Sequence, residues 1–280
     1  MPELPEQAVV CEILNRRVRG RPIESVEVLP PGGALVVRDL TYQGFVEQLT
    51  GAEFAEIRRR GKFLVFHVLR AGSTAPLFLV INPKLTGRLQ LATATDKRRA
   101  KTDLVFTFSD QSQLRYFDAK TMGQVYLTPN PEIVPGFAGM GPEATEVSLA
   151  TFRERLRPYR GEIKGILTRS EFLAGIGNAY ADEILWAAQL HPYRKRTQLK
   201  SDEIDRLYAA MRSTLQDAIA RVREGMGESI HLEPREFFAV HLKDGEPCPR
   251  CGGMISVVTA NQQITNFCRT CQPGGLIKGM

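Results

Sequence analysis

The sequence predicts a multidomain α+β protein, in which a β-rich part is followed by a helical part and a small metal-binding tail. Three observations predict this class. Short β-rich runs fill residues 23–128, helical periodicity follows residue 143, and four cysteines cluster near the carboxyl end. The chain has 280 residues, of which 43% are hydrophobic and 24% charged, so it is long enough for about two domains with buried cores. This composition excludes a disordered or fibrous protein.

The first predicted element is a helix over residues 6–19. Val10, Leu14 and Val18 recur every four residues and share one face of this helix. Nine short runs rich in β-branched and aromatic residues follow, and turn residues separate them. Many short strands without helices between them are typical of an antiparallel sandwich or barrel rather than of alternating βαβ units.

The second half of the chain begins after a stretch rich in helix breakers. Residues 129–143 carry four prolines and three glycines, which predicts an interdomain linker. Helical patterns then recur at residues 148–157, 162–170, 178–189 and 201–224. Short strands are expected around the cysteines. The predicted organisation is therefore a β-rich domain over 1–128, the linker over 129–143, a helical domain over 144–236 and a cysteine-containing domain over 237–280.

Four cysteines form the pattern C-x2-C-x16-C-x2-C, at Cys248, Cys251, Cys268 and Cys271. Two such pairs at this separation predict a tetrahedral zinc site, because each pair presents two thiolates to one ion from a single turn. Two disulfides, or four reduced thiols without a metal, are the alternatives. The amino-terminal sequence MPELPEQ lacks the basic and apolar regions of a secretory signal, which favours zinc over disulfides.

Charge and hydropathy narrow the class of partner. Lysine and arginine number 37, and aspartate and glutamate 31, which gives a net charge of +6. A moderately basic protein suits an acidic partner such as nucleic acid, although many ordinary proteins are equally basic. No run approaches the roughly 18 consecutive apolar residues of a membrane helix, so no membrane partner is expected. We expect a cytoplasmic protein.

Three further stretches could carry chemistry. Loss of Met1, which a small second residue favours, would leave Pro2 with a free secondary amine, and amines attack carbonyl-like carbons to form Schiff bases. The basic turn RRRGK over residues 58–62 could hold phosphates, and so could the amino terminus of a helix that starts at Asn178 after a glycine-rich turn. Taken singly, each also has an ordinary explanation: a chain terminus, a solvated loop and a tight turn between helices.

Taken together, these stretches resemble a known family. Five motifs occur in order across residues 2–272: PELPE, RRGK before an apolar strand, MGPEA, AGIGNAYADEILW followed by HP, and CPRC with FCRTCQ. They are similar to the motifs of the formamidopyrimidine-DNA glycosylase / endonuclease VIII family of bacterial base-excision repair enzymes. The resemblance implies a β-sandwich with an amino-terminal helix, a helix–two-turn–helix domain and a four-cysteine zinc finger. It also implies damaged double-stranded DNA as the partner, one structural zinc ion, no nucleotide cofactor, a monomer and association with the nucleoid.

The resemblance also implies roles for individual residues. Pro2 matches the nucleophile that attacks the sugar C1′, and Glu3 matches the acid that assists opening of the sugar ring. Glu6 matches the second acid of the PELPE motif, with a structural or proton-relay role. Lys62 matches a basic residue that contacts phosphate beside the flipped nucleotide, and Asn178 matches a phosphate-binding asparagine. The implied reaction displaces the base, forms a Schiff base on Pro2 and cuts the strand by β- and δ-elimination.

Several positions that meet DNA depart from the family pattern. Leu85 stands where many relatives have a methionine wedge, and Lys120 and Met122 stand where many have arginine and phenylalanine. Gln263 stands where the zinc hairpin usually offers a phosphate-binding arginine. Lysine lacks the bidentate fork of arginine, and glutamine adds no charge. We therefore expect altered recognition of the opposite base and a weaker grip on the backbone.

The stretch that caps a flipped purine in 8-oxoguanine-cutting members is short, since eleven residues separate Gly227 from a strand expected at Ala239. Efficient removal of 8-oxoguanine is therefore in question. Two functions remain open: a bifunctional glycosylase and AP lyase for oxidised bases, and a non-excising binder of damaged DNA or an abasic-site lyase only. A zinc-ribbon protein that contacts RNA or protein is the remaining alternative, and it predicts no covalent chemistry at Pro2.

Overall fold

The structure of the protein is a computed structural model, which describes residues 1–260 and 263–274. The chain forms two compact units, one of residues 1–139 with 222–234, and the other of residues 140–221 with the described residues from 235 onward. The four-part organisation predicted from the sequence is finer than this division and stays a prediction. Among the described helices, none is both long enough and apolar enough to cross a lipid bilayer.

The first unit is built on two β-sheets that follow helix α1 (Leu4–Arg17). The strands are β1 (Ile23–Val28), β2 (Val37–Asp39), β3 (Glu53–Arg60), β4 (Phe63–Leu69), β5 (Phe78–Asn82), β6 (Gly87–Thr93), β7 (Thr102–Phe108), β8 (Ser112–Asp118) and β9 (Gln124–Thr128), with α2 (Gly32–Val36) and α3 (Phe45–Leu49) between them. One sheet has the strand order β1-β7-β8-β6 and the other the order β2-β9-β5-β4-β3. The short β2 pairs with β9 in parallel, and the other neighbours are antiparallel.

An aromatic cluster fills the space between the two sheets. The ring centroid of Phe54 on β3 lies 4.9 Å from that of Phe66, 5.6 Å from that of Phe106 and 6.3 Å from that of Phe108. The last two side chains belong to β7 of the other sheet, and all four are fully buried. Because burial of one large apolar side chain contributes about 2 kcal/mol, this cluster holds the two sheets together. The predicted β-sandwich is confirmed.

Helix α1 is fixed against β3 by a reciprocal pair of hydrogen bonds. The amide of Ile57 donates to Oδ1 of Asn15 over 3.0 Å, and Nδ2 of Asn15 donates to the carbonyl of Ile57 over 2.6 Å. Residues 222–234 are attached to the same helix, because Arg223 pairs with Glu12 over 2.8 Å. These contacts fix the direction of α1 and therefore the position of the first residues of the chain.

The second unit contains the predicted helices and a β-hairpin. The four helical stretches expected from the sequence are confirmed to within a few residues at each end. Phe152 packs between the rings of Phe172 and Tyr208, each with a centroid distance of 5.5 Å, and this contact joins three parts of the helical region. The elements are α4 (Leu149–Leu156), α5 (Ile163–Leu167), α6 (Asn178–Ala187), α7 (Ser201–Met226), β10 (Ile255–Ala260) and β11 (Gln263–Cys268).

Two local expectations were wrong. Residues 33–36, the first half of a predicted β-rich run over 33–40, belong to α2, because Pro31 cannot donate to a strand ladder and lies at the start of this helix. The strand expected at Ala239 does not form either. The buried carboxylate of Glu183 accepts hydrogen bonds from the backbone amides of Ala239, Val240 and His241 over 2.8–2.9 Å, so these amides are not available to a sheet.

Candidate active site and zinc centre

The start of α1 organises the PELPE motif. Glu3 is the N-cap residue, and its side chain accepts a hydrogen bond from the backbone of Glu6, while the amide of Glu3 donates to Oε2 of Glu6 over 2.8 Å. This reciprocal capping box satisfies amides that the first helical turn leaves without partners. Pro5 fits the first turn because its nitrogen has no hydrogen to donate. Both carboxylates are 1% exposed, so the local sequence places two acids and Pro2 at one buried helix end.

Pro2 lines a pocket of about 350 Å³, a volume that includes the solvent space at its mouth. The wall is largely apolar and comes from both sheets, from α1 and from residues 226–233. Glu6 and Glu233 are the acids in this wall, and Arg88 is the cation. Neither Glu233 nor Arg88 stands in a sequence motif that would predict a place in this pocket. The apolar part of the wall is formed by Val10, Leu64, Ile81, Pro83, Leu89, Met226, Ile230 and Leu232.

Lys62 lies in the turn between β3 and β4 and is tied to α1. Nε2 of Gln7 donates to the carbonyl of Lys62 over 3.3 Å, which brings the basic turn to the helix that carries Glu3 and Glu6. Burial lowers the pKa of the Lys62 ammonium, and the two carboxylates partly oppose that shift. The structure thus brings the four predicted catalytic residues, Pro2, Glu3, Glu6 and Lys62, to one end of the first unit.

Two turns with exposed apolar tips are joined through Asp118. One turn, between β5 and β6, carries Leu85 at 42% exposure, and the other, between β8 and β9, carries Met122 at 48% exposure beside the exposed Lys120. The hydroxyl of Thr86 donates to Asp118 from the first turn. From the second turn, the amide of Lys120 donates to Asp118 over 3.1 Å, and the amide of Gly123 donates over 2.6 Å.

Close packing explains why glycine occurs in both turns. The buried hydroxyl of Tyr116 lies against Gly87 and Gly123, and a Cβ at either position would overlap it. Burial, together with the charge of Asp118, raises the pKa of Tyr116, so this hydroxyl stays protonated. The predicted DNA-contacting residues Leu85, Lys120 and Met122 therefore lie on two turns that share the contacts of Asp118 and Tyr116.

The four cysteines converge as the sequence predicts. Their sulfur atoms lie within 4.8 Å of one another, with 3.5 Å between those of Cys251 and Cys268 and 3.8 Å between those of Cys248 and Cys271. A disulfide requires about 2.05 Å, whereas a tetrahedron of zinc–sulfur bonds near 2.3 Å separates its sulfurs by about 3.8 Å. The arrangement fits one zinc ion bound by four thiolates.

Hydrogen bonds to the sulfur of Cys248 favour its thiolate form, which is the form that binds zinc. Nε1 of Trp186 donates to Sγ of Cys248 over 3.4 Å, and Arg250 stacks on the Trp186 ring at 4.1 Å from its centroid. Burial of Cys248 by itself would raise the pKa, but the hydrogen bonds from Trp186 and from the amides of Arg250 and Cys251 lower the pKa to about 6. These surrounding donors orient and stabilise the metal ligands.

A buried ionic network ties the β10–β11 hairpin to the helices. Nζ of Lys164 lies 2.6 Å from Asp182 and donates to the carbonyl of Ile264 over 2.9 Å, and Asp182 also contacts Nδ1 of His241 over 2.8 Å. Nδ2 of Asn178 donates to the same carbonyl over 2.7 Å. Asn178 is thus placed at the start of α6 and beside the hairpin. Sequence analysis did not predict the role of Lys164, because a lysine in a helical pattern usually faces solvent.

Gln263 is the remaining predicted site residue. Its backbone belongs to β11, and its side chain lies outside the described part of the chain.

Comparison with known proteins agrees with this geometry. Residues 1–125 match the formamidopyrimidine-DNA glycosylase N-terminal domain, residues 138–229 match the formamidopyrimidine-DNA glycosylase H2TH domain, and residues 245–274 match the zinc finger found in FPG and IleRS. A formamidopyrimidine-DNA glycosylase of Symbiobacterium thermophilum is 36% identical over 284 residues, which cover 98% of this chain and 90% of the relative.

The chain belongs to the formamidopyrimidine-DNA glycosylase family. Solved structures of this family have the same fold. The Lactococcus lactis enzyme, non-covalently bound to DNA that contains an AP site, is 32% identical, with a TM-score of 0.83 over 97% of this chain and 100% of that chain. The same enzyme in a complex with N7-benzyl-Fapy-dG DNA is 32% identical, with a TM-score of 0.84 over 98% of this chain and 100% of that chain.

Membership of the formamidopyrimidine-DNA glycosylase family sets the class of enzyme. The chain is a DNA glycosylase with AP lyase activity, built from a glycosylase amino-terminal domain, a helix–two-turn–helix domain and a zinc finger with one structural zinc. The resemblance stated from the sequence motifs is confirmed. No finding favours a protein of a different class.

Proposed function

We propose that this enzyme removes damaged bases from double-stranded DNA and cuts the strand through a Schiff base on Pro2. The observation that carries the proposal is the position of Pro2. It is buried at the start of α1, in a pocket wall that also contains Glu6, and directly precedes the capping residue Glu3. Once Met1 is removed, this position carries a secondary amine, which is less basic than a lysine side chain and therefore more often neutral near pH 7.

The proposed reaction begins at the sugar of the damaged nucleotide. The Pro2 nitrogen bonds to C1′ as the bond between C1′ and the base breaks, and the base leaves with the electron pair and a proton. Glu3 gives a proton to the ring oxygen O4′ as the bond from C1′ to O4′ breaks, and an iminium ion joins Pro2 to C1′. Glu6 holds the backbone amide of Glu3 and so keeps Glu3 in position.

The iminium ion then makes strand cleavage feasible. It acidifies the hydrogen on C2′, because the electron pair released at C2′ moves toward the positively charged nitrogen. Loss of that hydrogen expels the 3′ phosphate by β-elimination, and a second elimination expels the 5′ phosphate. Lys62 would contact a phosphate beside the flipped nucleotide. The carboxylates of Glu3 and Glu6 oppose the effect of burial on its pKa and so favour the charged form.

Five further residues are proposed to contact the DNA. Leu85 fills the space left by the flipped base, since apolar bulk is what such a wedge needs. Lys120 and Met122, on the adjoining turn, face the opposite strand. Asn178 at the start of α6 and Gln263 on β11 meet the phosphate backbone.

The proposed lesions are formamidopyrimidines and abasic sites. The Lactococcus lactis enzyme, 32% identical to this chain, has been solved with AP-site DNA and with N7-benzyl-Fapy-dG DNA, which supports both. We further propose that the enzyme acts as a monomer in the bacterial cytoplasm, on the nucleoid.

Borohydride trapping on an abasic duplex tests the proposal, because borohydride reduces a Schiff base to a stable crosslink. The protein must have Pro2 verified as its first residue. We expect a crosslink that disappears in Pro2→Gly and in a preparation that retains Met1. Absence of a crosslink with tight DNA binding intact would overturn the proposed chemistry and leave the binder hypothesis. If only the abasic duplex is cut and no base is released from several lesions, the enzyme has AP lyase activity without glycosylase activity.

A further inference from the structure

Glu233 is an acid in an otherwise apolar part of the pocket wall. It belongs to residues 227–234, here called the lining segment, which follow α7. Ile230 and Leu232 of this segment contribute apolar surface to the same pocket as Pro2. The side chain of Glu233 is 15% exposed. A carboxylate removed from water in this way needs a cationic partner, or its burial is unfavourable.

The two oxygens of Glu233 face two different cations. Oε1 lies 2.6 Å from the Arg88 guanidinium, whose side chain is 16% exposed, and Oε2 lies 3.5 Å from the amino-terminal nitrogen of Met1. Arg88 also donates to the carbonyl of Gly87 over 2.7 Å, which anchors it at the base of the turn that carries Leu85. Glu233 is thus held by one cation and directed toward the amino terminus.

We infer that Glu233 is a positioning residue for the Pro2 amine, held in place by Arg88, and that it acts as the counter-ion of this amine during the reaction. The inference rests on the proposed role of Pro2. Removal of Met1 moves the amine by one residue, to a position in the wall of the pocket that Glu233 also lines. In the processed enzyme, the amine and Glu233 therefore belong to the wall of the same pocket.

The reaction at an abasic site produces a positive charge at this nitrogen. The nitrogen bonds to C1′ of the open-chain aldehyde, and the carbonyl oxygen leaves as water with the amine hydrogen and one proton from solvent. The nitrogen keeps a positive charge as an iminium ion. In a largely apolar pocket that charge is poorly solvated, so a fixed carboxylate beside it stabilises the iminium ion.

A counter-ion also changes the pH range in which the amine is protonated. A neighbouring negative charge favours the ammonium form, so Glu233 raises the pH at which the amine becomes a neutral nucleophile. Arg88 weakens this effect by neutralising part of the carboxylate charge. The other ionisable groups near the amine are Glu3 and Glu6 on α1, Lys62 after β3 with Lys84 beyond it, and Tyr116 on β8. His231 of the lining segment contacts Arg99.

The test is the pH dependence of single-turnover trapping on an abasic duplex, from about pH 5 to about pH 9. Every protein has Pro2 verified as its first residue. Glu233→Gln keeps the shape and the contact with Arg88 but removes the charge. In its plot of trapping rate against pH, we expect the rise on the acidic side, here called the acid limb, to move to lower pH by about one unit. We expect the rate on the plateau to fall about tenfold. Arg88→Met leaves the Glu233 charge uncompensated, and we expect its acid limb to move to higher pH.

Glu228→Gln is the matched control. Glu228 lies in the same segment, is 57% exposed at its side chain, and pairs with Arg16 outside the Pro2 pocket. This variant loses the same charge, but it loses it outside the Pro2 pocket. We therefore expect its acid limb to coincide with that of the wild type. A fall in rate without a shifted limb in Glu233→Gln, or equal shifts in both glutamate variants, would overturn the inference and leave Pro2 as the nucleophile. Absence of a wild-type crosslink overturns both proposals.

Discussion

Leu85 is the residue whose substitution separates base removal from strand cutting. Base removal requires the damaged nucleotide to leave the helix, and an apolar side chain at the tip of the β5–β6 turn offsets the lost stacking. An abasic nucleotide has no base to unstack. We expect Leu85→Ala to slow base release by about tenfold and to slow abasic cleavage much less. The control is Leu85→Met, which keeps the apolar bulk and is expected to retain both rates.

Asp103 makes the folding stability of the first unit depend on pH. The residue is 2% exposed, and its burial, with the nearby charge of Asp118, raises its pKa to about 6. The native state therefore binds this proton more tightly than the unfolded state, whose value is about 3.9, so stability falls as pH rises between these values. We expect a loss of about 2 kcal/mol over that range, flat behaviour above it, and no such fall in Asp103→Asn. Denaturant midpoints as a function of pH measure this, and parallel curves for the two proteins would contradict it.

At the residue scale, the sequence predicted those site residues whose signal is local. Pro2, Glu3 and Glu6 stand in one short motif, and the four cysteines stand in another. Arg88 and Glu233 could not be predicted in the same way, because 145 positions separate them and their pairing depends on the complete fold of the first unit. Lys164 also resembled a surface lysine until the structure placed it against Asp182.

At the scale of elements, the contact between α6 and the cysteine cluster provides an intrinsic probe of zinc. Trp186 is the single tryptophan of the chain, and its indole donates to Sγ of Cys248. Removing zinc from the thiolates frees this sulfur and loosens the segment around it. We expect the tryptophan emission to change as a chelator removes zinc and to recover when zinc returns. Trp186→Phe should lose the signal and bind zinc more weakly. An emission spectrum that does not respond to zinc removal would contradict this arrangement.

The hydrogen bonds by which Asp118 joins the two turns can be tested by substitution. Asp118→Ala removes the shared acceptor of Thr86, Lys120 and Gly123, and it takes this acceptor from the buried amide of Gly123. Each unsatisfied donor costs about 1–3 kcal/mol, so we expect lower stability and a clear loss of base release. Asp96→Ala is the control, since Asp96 is an exposed turn acid that accepts from Thr93. Equal losses in stability and base release for the two variants would show that the Asp118 contacts have no special role.

The sequence predicted most elements because the β-rich and helical periodicities are strong. It failed where a tertiary contact overrides local preference. Ala239 lies in a stretch with strand-like composition, yet the Glu183 carboxylate binds its amide and those of its two successors. The β10–β11 hairpin was expected around the cysteines, but the ionic network that holds it to α5 and α6 had no sequence signal.

At the scale of the whole molecule, the net charge of +6 predicts salt-dependent binding to DNA. Removal of one cation that binds a phosphate should reduce the slope of log affinity against log salt by about one. We expect Lys62→Ala to reduce the slope in this way, because Lys62 is the cation that is proposed to contact a phosphate. Binding isotherms at several salt concentrations measure the slope. A flat salt response of the wild type would argue against phosphate binding as the main source of affinity.

The paired turns combine a closely packed interior with exposed tips. The interior is formed by the hydrogen bonds to Asp118 and by the Tyr116 hydroxyl against the two glycines, whereas the side chains at residues 85, 120 and 122 are exposed. If these tips read the lesion and the opposite strand as proposed, we expect substitutions there to change the preference of the enzyme without disturbing the interior of the turns. The two turns therefore offer a scaffold for protein engineering, in which the tip residues are randomised together and the interior residues are kept.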